Sequence, residues 1–303
     1  MKSSQLFWGF FFITFGSLYL VGRYTHFIID WYAIWDLWPI IIILIGIAVI
    51  FKGTFVKPII SVLMGVILAF LAFGFFNDLF GMFDNYDFDR RHIKNYSENY
   101  YELDYDNNIE HVNLSIEAGA GKFNIEKTTS ELVKGYSRGN IGNYNFERKI
   151  KDSVAWVDLT MEKLDLELFG GSYKNQFKLS LNENPTYTLD VKIGAAKSNF
   201  NLIPFKVKNL VLNTGATDTR IKLGDKTDLV YVNVDMGAAS LKIYIPKTSG
   251  CKINGDMVLM SKDLDEFEKR DSDYYVTENY DTAKEKIIMH IEGGVSSFEV
   301  KRY

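Results

Sequence analysis

Three runs of uncharged, almost wholly apolar residues open the chain, at 6–22 (LFWGFFFITFGSLYLVG), 37–51 (LWPIIIILIGIAVIF) and 58–76 (PIISVLMGVILAFLAFGFF). Their apolar side chains cover every face of a helix, the pattern suited to a lipid surrounding. At about 1.5 Å per residue the first and third extend roughly 25–29 Å, near the hydrocarbon thickness of a bilayer. The pattern predicts three membrane-spanning helices, at about 6–22, 35–51 and 58–76, the second extended upstream by Trp35 and Asp36. Pro39 and Pro58 stand at the starts of two runs, where a missing N–H costs little. Trp31, Tyr32, Trp35 and Trp38 crowd the entrance to the second run, the depth at which amphipathic rings settle, so residues 23–36 are expected to lie along the interface.

Beyond residue 110 the apolar period becomes two. Six segments, at 112–127, 164–181, 187–203, 208–223, 230–245 and 287–303, share one pattern around Gly119, Gly171, Gly194, Gly215, Gly237 and Gly294. Apolar residues stand five and three positions before each glycine and return four or six positions after it, which is the alternation of a half-buried strand on either side. The odd interval from three before to six after would aim the two halves of a straight strand at opposite faces. The glycine must therefore mark a corner or bulge that turns the second half back to the same core. The glycines from Gly171 to Gly237 recur every 21 to 23 residues, a regularity that favours strand pairs stacked as coils over the rival β-sandwich of ordinary hairpins.

The predicted fold class is thus membrane-anchored and mixed: transmembrane α-helices over 1–76, an acidic, tyrosine-rich juxtamembrane linker over 77–110, and an all-β, solenoid-like repeat domain over 111–303. Charge supports the partition. Residues 1–80 carry Lys2, Arg23, Lys52 and Lys57 against Asp30, Asp36 and Asp78, a balance of +1 within a 303-residue chain whose net charge is −4. No small-x-small cleavage site follows the first run before Arg23, so it is expected to stay as a helix. Lys52 and Lys57 make the loop after the second run the most positive, and Lys2 shares its side. The cytoplasmic side is therefore expected for both and the extracytoplasmic side for the β-domain, an orientation that a re-entrant segment or further crossing in 23–36 would reverse.

Candidate chemistry adds little. Cys251 is the only cysteine, and His26, His92, His111 and His290 are scattered, so neither a disulfide nor a zinc site is expected. Gly119-Ala-Gly-Lys122 lacks the first glycine and the hydroxyl residue of a phosphate loop. Asp104, Asp106 and Asn108 imitate the start of an EF-hand, but Ile109 and Ser115 occupy the positions of its glycine and bidentate glutamate, which leaves weak surface cation binding at most. No nucleophile–base motif occurs, and an acidic domain suits a nucleic-acid backbone poorly. Neither an enzyme nor a cofactor is expected.

The N-terminal pattern, with Gly9, Gly16 and Gly46 in its helices and Trp38-Pro39 opening the second, resembles the LiaI/LiaF-type transmembrane region of bacterial envelope-stress proteins. The glycine-cornered repeats are similar to the toast-rack or adhesin-like β-domains fused to that region. The resemblance implies a non-catalytic modulator of a membrane sensor histidine kinase. On that reading Gly9, Gly16 and Gly46 would form small-residue contact faces, although packing among the chain's own helices is their simpler role. A membrane-tethered scaffold or adhesin that binds a protein or glycan is the alternative. The expected partners are membrane lipid and such a kinase.

Overall fold

The computed structural model describes residues 3–24, 38–50, 56–81, 96–140, 143–162, 174–255, 261–264, 266–270, 274–294 and 297–303. The chain divides into two compact units, Met1–Asn85 with Leu166–Ser172, and Tyr86–Asp165 with Tyr173–Tyr303.

The first unit holds α1 (Ser3–Tyr24), α2 (Trp38–Ile50) and α3 (Val56–Gly81), of 22, 13 and 26 residues. Pro39 and Pro58 fall in the first turns of α2 and α3, where no helical bond is lost. α3 packs against α1 and touches α2. It approaches α1 closely at Gly65, where an added Cβ would lie 2.5 Å from the Phe7 carbonyl oxygen. Ala69, one turn on, is fully buried, and Phe15 meets Phe73 edge to face at 5.8 Å. Small residues four apart let two backbones meet. A Cβ on Gly9, Gly16 or Gly46 would meet nothing within 4 Å, so the close approach falls at Gly65 rather than at the three glycines the sequence singles out. Described side chains run from Ser4 to Leu20 in α1 and from Pro58 to Phe73 in α3. Among the described residues no helix is long and apolar enough to cross a membrane.

The second unit is all β. Its long strands β2 (His111–Thr128), β7 (Thr186–Leu202) and β8 (Lys206–Leu223) lie parallel and in register, and each passes through one repeat glycine. Before the glycines the stack continues through β9 (Leu229–Met236), β15 (Lys286–Gly293) and β11 (Gly250–Asn254). After them it continues through β10 (Ser240–Ile245) and β16 (Ser297–Arg302) to β12 (Ser261–Leu264).

Antiparallel strands close most of the ends. β4 (Tyr144–Lys151) pairs with β5 (Val154–Met161), and β1 (Ser97–Leu103) and β3 (Val133–Gly139) extend β6 (Asn175–Leu181). β13 (Phe267–Arg270) and β14 (Tyr274–Thr277) extend β11. β1 lies inside the stretch that the sequence suggested was an unstructured connector. Its sequence, SENYYEL, carries no regular alternation that would set it apart, and pairing with β3 decides its state. The edge strands β4 and β13 carry Glu147, Arg148, Lys149 and Lys151, and Glu268, Lys269 and Arg270, charges that discourage further strand addition.

The core changes phase at each glycine. In β7, Tyr187, Leu189, Val191 and Ile193 are buried, Gly194 and Ala195 turn outward, and Ala196, Ser198, Phe200 and Leu202 are buried again. β2 shows the same two-residue interruption at Gly119, and β8 a longer one around Gly215, where Thr214 is also only half-buried. One extra residue thus restores the inward aim of the second half, and the rungs stack their apolar residues into columns such as Leu114, Leu189, Leu210, Val232 and Met289.

Candidate binding face

Parallel, in-register stacking also aligns the outward residues into rows. Six positions before the repeat glycines stand Asn113, Thr188, Asn209 and Tyr231, and β5 adds Trp156 at the other end. Four positions before stand Ser115, Asp190, Val211 and Asn233, joined by Asp158. Two positions before stand Glu117, Lys192, Asn213 and Asp235, joined by Thr160. Trp156 and Tyr231 are 39% and 40% exposed. Asn209 Nδ2 donates to Thr188 Oγ1 at 3.3 Å, and Lys192 lies 3.6 Å from Asp190. One rung further on, His290 lies 3.0 Å from Glu292.

An open concavity of about 410 Å³ borders this face, lined by Glu117, Lys192, Asn213 and Asp235 with Gly194 in its floor. Ala118, Ile193 and Thr214 complete its lining, and beside it the repeat glycines stack on one another. A Cβ on Gly194 would lie 2.7 Å from the Gly119 carbonyl oxygen, and one on Gly215 2.6 Å from that of Gly194. The corresponding distances are 3.0 Å from Gly237 to Gly215 and 3.4 Å from Gly294 to Gly237. Gly119, Gly194, Gly215, Gly237 and Gly294 form this single exposed column; Gly171 lies outside the described residues. Gly119-Ala-Gly-Lys122 is part of continuous strand β2, and no phosphate loop forms.

The other candidates lie apart from this face. Asp106 closes a turn, accepting from the Asn108 and Ile109 N–H groups at 2.9 Å. Asp104 instead joins Glu102 and Glu131, whose carboxylates lie within 4.8 Å of one another, with Lys134 held 3.0 Å from Glu102. Cys251 is fully buried, and burial pushes its thiol pKa up, which disfavours the reactive thiolate. Burial likewise raises the Tyr144 hydroxyl, against a hydrogen bond from Asn175 Nδ2 at 2.7 Å.

The distribution of outward rows was accessible from the sequence only through the glycine anchors, since residues six, four and two positions before each glycine share rows. Trp156 precedes no such glycine, and its place depends on β5 pairing with β2.

On the far side of the corner, Glu299 is 8% exposed and takes hydrogen bonds from Lys242 and, at 2.5 Å, from Lys301. These bonds hold its carboxyl below the usual range. A lowered folded value stabilises the fold above the ordinary glutamate pKa of about 4.3 and loses that contribution as pH falls through the folded value. Glu299→Gln should therefore cost about 1 kcal/mol at pH 7, since both lysines are partly solvated. In chemical denaturation, the difference from the unsubstituted chain should shrink as pH falls below the ordinary glutamate value of about 4.3 and vanish once the folded carboxyl is protonated.

A β unit of stacked, glycine-cornered rungs shares the chain with an apolar helical unit, and the sequence of that helical unit marks the protein as membrane-associated. The sequence pattern described as the N-terminal domain of toast_rack, DUF2154, matches residues 90–244, just over half of the chain, and the LiaI-LiaF-like transmembrane region matches residues 6–50. The chain belongs to the toast-rack family. In three dimensions it is similar to a crystal structure of a candidate cell adhesion protein from Clostridium sporogenes, with TM-score 0.65 and 22% identity, over 69% of this chain and 100% of that one. That likeness shows the fold alone. A candidate adhesin from Bacteroides fragilis aligns over 68% of this chain and 97% of its own with TM-score 0.22 and 7% identity, too low to carry an argument. No curated protein matches.

Proposed function

We propose that the protein is a non-enzymatic component of a bacterial envelope-stress system that modulates a membrane sensor histidine kinase. Its three helices serve as a multi-pass anchor, and the β unit, which includes β1 at Ser97–Leu103, serves as an extracytoplasmic docking domain. One observation carries the reading: a LiaI-LiaF-like transmembrane region and a toast-rack β unit occupy the same chain. The crossing rests on the charge-free sequence runs at 6–22 and 58–76 and on the match to a LiaI-LiaF-like transmembrane region, not on helix length. Gly9, Gly16 and Gly46, open on their helices, provide small-residue faces for a second membrane helix. The alternative, a tethered scaffold or adhesin, is favoured by the exposed outer face of β2, β7, β8 and β9.

The test joins topology to output. In intact cells, added protease should remove the β unit, and deletion of the chain should change the output of a kinase reporter at least threefold. Gly9→Leu and Gly46→Leu should abolish that effect at unchanged protein level. Full protection from protease would overturn the orientation, and a reporter indifferent to deletion would overturn kinase modulation in favour of the scaffold.

A further inference from the structure

We propose that the outer face of the parallel stack binds an amine-bearing glycan strand lying across the β-strands between Trp156 and Tyr231. The inference does not depend on kinase modulation. It rests on ring placement, hydrogen-bonding character and charge.

The two rings occupy one row on β5 and β9 and are separated by Asn113, Thr188 and Asn209. Four interstrand steps of about 4.8 Å set them roughly 19 Å apart, the span of about four pyranose units. An exposed aromatic face offers an apolar platform with a polar edge, and the C–H face of a pyranose ring is its natural complement. Between the platforms the row presents an amide, a hydroxyl and an amide, groups that both donate and accept and so match sugar hydroxyls. A sheet that needed only a solvated outer surface would place charged or small residues at 156 and 231.

Charge selects among glycans. In the next two rows, about 6.7 and 13 Å along the strands, Asp158, Asp190, Glu117 and Asp235 stand against the ammonium of Lys192, which lies beside Asp190, while Lys149 of β4 adjoins Trp156 at one end of the first row. Such a surface repels a polyanion and attracts ammonium groups carried on the sugar ring. The open concavity lined by Gly194 and Thr214 gives a substituent of the strand access to Glu117 and Asp235. Phosphate- or carboxylate-bearing polymers are excluded by the same carboxylates.

The full chain in detergent or nanodiscs should be titrated calorimetrically with the β-1,4-linked glucosamine hexamer, its fully N-acetylated counterpart, polygalacturonate and a lysine-rich peptide. The glucosamine hexamer should bind at least tenfold more tightly than the others, with affinity that falls as salt rises. Trp156→Ala and Tyr231→Ala should each weaken it about tenfold or more, and Asp190→Asn with Asp235→Asn should erase most of the salt dependence. Trp156→Phe, which keeps a ring, should retain most of the affinity and provides the comparison if the alanine variant unfolds. Equal binding of the acetylated hexamer or of the peptide, tighter binding of polygalacturonate, no binding of the glucosamine hexamer, or affinity unchanged by loss of both rings would overturn the proposal.

Discussion

Replacing Gly215 by alanine should destabilise the β unit by about 3 kcal/mol, whereas Gly294→Ala should change its stability by less than about 1 kcal/mol. The added methyl at Gly215 would sit 2.6 Å from the Gly194 carbonyl oxygen, and at Gly194 2.7 Å from that of Gly119. Neither obstacle is the end of a flexible side chain: both are backbone atoms fixed between two rungs, so relief requires the parallel ladder to part. At Gly237 the gap of 3.0 Å asks the neighbour to shift by a few tenths of an ångström, and at Gly294 3.4 Å is ordinary contact. None of these four glycines adopts the left-handed backbone, so alanine carries no dihedral strain and gains a little from a less flexible unfolded chain. Urea or thermal unfolding of the four alanine variants should rank Gly215 and Gly194 worst, Gly237 next and Gly294 near neutral. A Gly294→Ala variant as damaged as Gly215→Ala would show that something other than stacking distance requires the glycines.

Arg302→Ala should cost about 2–4 kcal/mol. The Arg302 side chain is only 8% exposed. Its guanidinium donates to the Lys247 carbonyl, to the Ser249 carbonyl at 3.4 Å and to Asn279 Oδ1 at 3.1 Å, and lies 3.3 Å from Glu266. Asn279 Nδ2 in turn donates to the carbonyls of Lys247, Thr248 and Ser249 at 3.2 to 3.4 Å. The last strand is thereby tied to the turn that leads into β11. Truncation removes the guanidinium's bonds to the Lys247 and Ser249 carbonyls and to Asn279, and leaves those carbonyls to Asn279 Nδ2. Arg302→Lys should recover less than half of the loss, because a single ammonium cannot span the planar fork's partners. Unfolding midpoints of the two variants check both expectations. Equal stability of Arg302→Ala and the unsubstituted chain would show that the turn is held elsewhere.

Particular residues show why some of this was legible in one sequence. The alternation of Leu189, Val191, Phe200 and Leu202 around Gly194 announces strand, corner and buried face, because a period of two with an odd interruption has few other physical solutions. The apolar runs that form α1 to α3 were equally plain. The face was not, because Trp156, Asn113, Thr188, Asn209 and Tyr231 come from five strands and no local pattern relates Trp156 to the other four. Gly65 was passed over for a similar reason: α3 contains several small residues, and only its docking on α1 distinguishes one of them.

The sequence by itself determined the division into an apolar helical unit and a β unit, and it placed the glycine at one phase of each repeat, since burial periodicity and backbone freedom are local properties. Tertiary structure decided which rungs pair, how closely each glycine approaches the carbonyl before it, and which distant side chains share a row. Those depend on register between strands, which is set by the collective fit of columns in the core and has no signature within any one segment.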